Sequence, residues 1–293
     1  MRTLTGFFFN SLLFIFFSIM VINATEEVRK VESLEKIMND RIDVHHIHLP
    51  TNSYIYAHDG QMVSEIYRDE YRIYLPYEQI PDKVVNAFLA IEDQRFFEHK
   101  GYDMPAIVRA LIANAKSDSI QQGASTITQQ VVKNLFLTQE QTYNRKLAEL
   151  LYAYQLEETY PKEKIFELYF NSIYFHNSIY GFETASQYYF QKPSHKLSLA
   201  EVAFLSAIPN NPSYYDPILH SENTHERKKI ILEKMLEANF ITEKQYNEAI
   251  EEEIVLNVRQ KIDLYPDYVT YIHHEFRELG AEKEGFKEKV LNV

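Results

Sequence analysis

The chain has 293 residues, 45% of them hydrophobic, which is enough for one large domain or two small ones with a real core and excludes a disordered protein. A net charge of -12 excludes a general nucleic-acid binder, because phosphate neutralisation needs a basic surface, although local basic clusters can still hold a small anionic ligand. With Cys 0 there is no disulfide, thiolate nucleophile or cysteine zinc site, and Gly 7 against Tyr 22 and Phe 19 favours a helical domain over a glycine-punctuated barrel.

Residues 6–22 carry no charge and approach the roughly 20 residues that cross a bilayer. Residues 1–25 therefore read as a transmembrane anchor or, with Ile22-Asn23-Ala24 as a passable cleavage site, a signal peptide; either places the remainder outside the cytoplasm. Val28, Val31, Leu34, Ile37 and Met38 follow at helical spacing, so 26–50 is expected to form a juxtamembrane stalk. Residues 53–66 are β-prone on both sides of Asp59-Gly60 and predict a hairpin. From Pro81 the pattern turns helical, over 83–91, 105–116, 126–136, 142–158, 162–173, 182–189, 198–207, 225–239 and 242–252. Thr126 with Gln129 makes a capping box, Pro105 fits a first turn, and Thr242 precedes Glu243 at another helix start. Pro209, Pro212 and Pro217 stop the helix that Ala207 ends. No β-α alternation or internal repeat is present, so the class is mainly α.

Two polar runs interrupt this apolar pattern. Glu92 and Asp93 come directly after the stretch from Val84 to Ile91, where burial disfavours a charged carboxylate and raises its pKa. Ser125, Thr126, Thr128, Gln129, Gln130, Lys133 and Asn134 crowd neutral donors onto about three helical turns, more than a solvated face needs, and read as a binding strip. Glu149 is a second carboxylate among apolar neighbours, and two carboxylates are the minimum for sugar chemistry. Lys133, Arg145 and Lys146 could clamp a phosphate or pyrophosphate by charge-assisted bonds. Each feature alone has a plainer reading, as a solvated helix end or a solvated cation.

Together they resemble a known family. Glu92-Asp93-x-x-Phe96-x-x-His99-x-Gly101, Gly123-Ala124-Ser125-Thr126-Ile127-Thr128-Gln129-Gln130 with Lys133-Asn134, Arg145-Lys146-x-x-Glu149, Ile165-Phe166-Glu167-x-Tyr169-Phe170-Asn171, and Tyr180-Gly181 leading to Pro209-Asn210-Asn211-Pro212 stand in the order found in one family. It is the family-51 glycosyltransferase domain of class A penicillin-binding proteins and monofunctional peptidoglycan glycosyltransferases, and the likeness covers about residues 52–286. The resemblance implies a two-lobed, lysozyme-like helical domain at 51–260 with a small N-terminal hairpin, anchored in a bacterial membrane with its catalytic part on the extracytoplasmic face. It implies polymerisation of lipid II, the undecaprenyl-pyrophosphate-linked disaccharide-pentapeptide, onto a nascent glycan strand. Carried over, Glu92 is the general base on the acceptor 4-hydroxyl. Glu149 is the second carboxylate, orienting the donor or a transient divalent cation, magnesium or manganese, near the pyrophosphate. Lys133, Arg145 and Lys146 stabilise the leaving group; Asp93, Ser125, Thr126, Gln129, Gln130 and Asn134 belong to the substrate groove.

Two positions depart from that pattern. Gln141 stands where the family has an arginine that meets the lipid phosphate, and Ser178 stands in a segment usually rich in glycine, where a positive φ would be strained. The tail 261–293 resembles a linker toward an absent transpeptidase domain, with a separate transpeptidase or cell-wall synthesis complex as the implied partner. Ser33-Leu34-Glu35-Lys36 has the letters of a transpeptidase nucleophile motif, but it falls in the stalk without downstream partner motifs and is assigned to chance. His45, His46 and His48 read as a solvated linker rather than a metal site, and His273-His274-Glu275 lacks the second histidine of a zincin motif. Two other functions remain open: a lysozyme-like glycan hydrolase, disfavoured by the pyrophosphate cradle, and a non-catalytic glycan-binding remnant, disfavoured by the intact carboxylates.

Overall fold

The computed structural model describes residues 44–66, 70–115, 123–137 and 143–259, with Tyr271 and Glu275 beyond them. Residues 6–22, most of the stalk, Gln141, His273 and His274 lie outside the described residues. No helix among the described residues is long and apolar enough to cross a membrane.

The hairpin forms where expected. Strand β1 (Ser53–Tyr56) pairs antiparallel with β2 (Met62–Ile66), with an irregularity at Ile55/Tyr56. Gly60 takes φ +83 in the connecting loop, and Asp59 Oδ1 accepts from the Gln61 amide at 2.9 Å, the local bond that makes aspartate a turn former. A second, unanticipated pairing joins the two-residue β3 (Tyr71–Arg72) in parallel to β4 (Ile179–Tyr180).

The rest is helical: α1 (Asp82–Glu92), α2 (Met104–Ala115), α3 (Ile127–Phe136), α4 (Tyr143–Thr159), α5 (Lys162–Ser172), α6 (Phe182–Phe190), α7 (Leu199–Ser206), α8 (Ser221–Glu237) and α9 (Glu243–Glu251). Capping boxes start α3, α7 and α9 at Thr126/Gln129, Ser198/Glu201 and Thr242/Gln245. Such an N-cap is worth about 1 kcal/mol. Asp103 Oδ1 accepts from the Ala106 amide at 3.0 Å and serves α2 similarly. Helix α7 is buried along nearly its whole length, as a helix apolar all round must be, and packs against α1 and α8. Phe88 of α1 lies edge-on to Tyr169 at 5.3 Å and to Phe182 at 5.7 Å, joining α1, α5 and α6 in one core.

Helix α5 is also fastened by polar bonds. Asn171, fully buried, accepts from the Leu75 amide and donates to the Leu75 and Glu167 carbonyls, while Glu167 accepts from the Tyr77 amide, Tyr74 and Lys164. Its acidic and amide residues thus tie α5 to the extended segment that follows β3.

Gly101 fixes where the chain leaves α1 for α2. It has φ +83, and a Cβ there would stand 2.8 Å from the Ala153 carbonyl carbon of α4. Gly101→Ala combines left-handed strain with overpacking against backbone and should destabilise the fold by about 2–4 kcal/mol, seen as a lower urea midpoint. At the other irregular turn His176, Asn177 and Ser178 have φ of 72, 50 and 60, so the strain anticipated at Ser178 is present and shared by two neighbours. Ser178→Gly should raise stability by about 0.5–1 kcal/mol, the Cβ penalty less the greater chain entropy of glycine.

Candidate active site

Helix α1 ends at Glu92, and the side chain, half-buried, accepts from Gln130 Nε2 of α3 at 2.8 Å through its Oε2. One turn on from Gln130 lies Lys133, whose ammonium is pushed down in pKa by burial and drawn back up by Glu149 and then by Glu92. The lysine therefore sits electrostatically between the two carboxylates that the sequence singles out. Across from it on α4, Glu149 is 2% exposed, and both of its oxygens are engaged: Oε2 by Arg145 Nη1 at 2.8 Å and Oε1 by Lys146. The spacings i to i+4 and i to i+3 bring these three side chains onto one face of the helix. Lys146 Nζ also donates to Ser125 Oγ at 2.9 Å, linking α4 to the loop before α3. The result is a continuous array running Glu92, Gln130, Lys133, Glu149, Arg145, Lys146 and Ser125, with one carboxylate at one end and a cationic cluster at the other.

Three expected substrate contacts turn inward. Asp93 is 7% exposed; its Oδ2 accepts from the Ile127 amide at 3.0 Å and lies 2.9 Å from His99 Nε2, itself buried. A carboxylate on the first amide of α3 is favoured by the helix dipole, which is the physical reason it points there rather than into the groove. Thr126 and Gln129 are buried because they cap each other: the threonine hydroxyl accepts from the Gln129 amide and donates to the Gly101 carbonyl at 2.7 Å, and Gln129 Oε1 accepts from the Thr126 amide. Thr128 is turned inward too, its hydroxyl donating to Glu157. Asn134 is exposed and has no partner among the described residues.

In the sequence His99 stands out only as part of the motif, and the structure gives it a specific place as the partner of Asp93; the six-residue spacing across a turn carries no periodic signal that reveals this. Beneath the site Tyr169 is fully buried, and that burial, reinforced by Glu92 and Asp93, holds its phenol well above the usual tyrosine range, so the floor under Glu92 is neutral.

The residues present do not fit a resident divalent cation. Glu149 has no oxygen without a cationic partner, and no group of three His, Asp or Glu among the described residues could hold a metal ion.

Residues 59–236 match the family model described as transglycosylase. Penicillin-binding protein 4 of Bacillus subtilis is 45% identical over 275 residues, which is 94% of this chain and 44% of that protein. Penicillin-binding protein 1A of Aquifex aeolicus is 42% identical over 235 residues, 79% of this chain and 32% of that one. The crystal structure of penicillin-binding protein 1A from Haemophilus influenzae aligns at a TM-score of 0.45 and 23% identity, covering 80% of this chain and 25% of that one. The chain thus spans less than half the length of these relatives.

Proposed function

The chain belongs to the transglycosylase family, and we propose that it is a peptidoglycan glycosyltransferase that polymerises lipid II into glycan strands. The observation that carries this reading is the division of the site: one half-buried carboxylate held by Gln130, then Lys133, then a carboxylate neutralised by two further cations. Glu92 takes the proton from the acceptor 4-hydroxyl as that oxygen attacks the anomeric carbon of the donor sugar, with inversion. The bond to undecaprenyl pyrophosphate breaks on the opposite side, and Lys133, Arg145 and Lys146 receive the negative charge that develops there. Pyrophosphate is already a good leaving group, so positioning and charge stabilisation supply most of the acceleration. Glu149 keeps Arg145 and Lys146 in place, and Ser125 steadies Lys146. Asp93, Thr126 and Gln129 act behind the groove, fixing the start of α3 and so the aim of Gln130.

A membrane-borne substrate suits the surface beside the site. Tyr102, Met104 and Val108 on and before α2, and Tyr154 on α4, are exposed large apolar side chains. Met104 and Val108 give α2 an outward-facing apolar edge. We infer that this edge meets the outer leaflet, with residues 1–25 as the anchor and 51–260 as the catalytic domain.

The reading is tested by phosphorus NMR on the purified chain with lipid II. Undecaprenyl pyrophosphate should accumulate in step with β-linked glycan; shortening of preformed strands without release of pyrophosphate would identify a hydrolase instead.

A further inference from the structure

Tyr169 of α5 carries a polar atom that packing alone does not explain. Its side chain is fully buried, and Oη has no hydrogen-bond partner among the described residues. An unpaired hydroxyl in the core costs stability, so a tyrosine where phenylalanine would fill the same space points to a use for the hydroxyl. We propose that Tyr169 is a positioning residue for Glu92: as substrate fills the groove, Oη donates a hydrogen bond to Oε1, the Glu92 oxygen that Gln130 does not hold. This rests on the glycosyltransferase reading above.

Packing places the phenol under that carboxylate. Phe88 and Glu92 stand four residues apart on α1 and so share a face, one turn from each other. The Phe88 ring meets the Tyr169 ring edge-on at 5.3 Å, and Phe166 supports the same ring at 6.0 Å. Helix α5 packs also against α3, the helix that carries Gln130. After burial, Glu92 and then Asp93 are the strongest influences that keep the phenol protonated, so it stays a donor throughout the working pH range.

The charged groups around the hydroxyl leave one open acceptor. Asp93 is engaged: its Oδ1 and Oδ2 lie 3.1 and 2.9 Å from His99 Nε2, and Oδ2 also accepts from the Ile127 amide. Arg227 of α8, whose charge acts on the phenol in the opposite sense, has only N–H groups and cannot accept. On the groove side Lys133 faces Glu92 but is shared with Glu149, itself paired with Arg145 and Lys146. Glu92 has Oε2 on Gln130 Nε2 at 2.8 Å, and its Oε1 has no partner among the described residues. Catalytic hydrogen bonds are often long in unliganded proteins and tighten in the substrate complex. A donor on each oxygen favours the ionised carboxylate and fixes its plane, which is what a half-buried general base requires.

The test is Tyr169→Phe in the full chain, which keeps the ring and removes only the hydroxyl. Without that donor the Glu92 pKa in the substrate complex rises, so the acid limb of kcat for lipid II polymerisation should move up by about one pH unit, about a tenfold loss of rate along that limb. KM and the alkaline limb should be unchanged, and the melting temperature unchanged or higher. In a Glu92→Gln background the same substitution should add no further loss, since the partner is already gone. Acid limbs that coincide in wild type and Tyr169→Phe would overturn the role. So would an equal loss at every pH and in both backgrounds, the mark of a packing defect. Coincident limbs with active wild type remove only Tyr169 from the account; a folded wild type that makes no polymer removes glycosyl transfer and this role together.

Discussion

Glu92→Gln is expected to leave the chain folded and to lower kcat for lipid II polymerisation by about 10²–10⁴-fold, the usual contribution of a general base. Glutamine matches glutamate in size, and its carbonyl oxygen can still accept from Gln130 Nε2, which now bonds Glu92 at 2.8 Å. The melting temperature should therefore be unchanged. The lost interaction is one made as the proton moves, so KM should change little while kcat falls, the signature of a group acting in the transition state. A variant with wild-type kcat would place the base elsewhere, and a raised KM beside that unchanged kcat would mean that Glu92 binds substrate rather than deprotonating it.

The second large effect concerns Lys133. Lys133→Met removes a cation from the leaving-group side and should cut kcat/KM by at least tenfold, since one charge-assisted hydrogen bond is worth about 1.5–3 kcal/mol. Stability should move the other way or not at all. Burial lowers the pKa of this lysine in the folded protein below its unfolded value, so holding it protonated opposes folding; that opposition is complete below the folded pKa and is relieved as pH rises through it. Glu149 is left with Arg145 and Lys146 in the variant, so no buried carboxylate is orphaned. A pH consequence follows with a definite sign. The alkaline limb of kcat/KM, which reports the free enzyme, should fall below the ordinary lysine range and shift upward in Lys133→Arg, whose guanidinium stays charged. An alkaline limb identical in wild type and Lys133→Arg would remove Lys133 from the charge-stabilising role.

Much of the helical frame was legible because its punctuation is chemical. Thr126/Gln129 and Thr242 mark the starts of α3 and α9 to the residue. Helix α8 begins at Ser221, four residues before the apolar periodicity suggests, because its first turn is polar and Thr224, buried there, bonds the Tyr215 and His220 carbonyls. The β3/β4 pair joins two-residue strands from distant parts of the chain, too short for any alternation to register. Within the candidate site, residue types in the sequence mark positions that the fold brings near one another but do not give side-chain directions. A run of neutral polar residues looks like a groove, yet Thr126 and Gln129 face inward to start the helix, and Asp93 faces the same helix start. The contacts of Glu149 with Arg145 and Lys146 were readable because i to i+3 and i to i+4 spacing on one helix is a local rule. That Gln130 reaches Glu92 depends instead on how α1 and α3 cross.

The central claim, that the Glu92 to Glu149 array joins sugars rather than cleaving them, is tested most directly by incubating the purified chain with fluorescent lipid II and a divalent cation and resolving the products on a gel. The account predicts a ladder of lengthening glycan strands that is absent with Glu92→Gln. No ladder from the folded wild type, or a ladder that persists unchanged in Glu92→Gln, would contradict it.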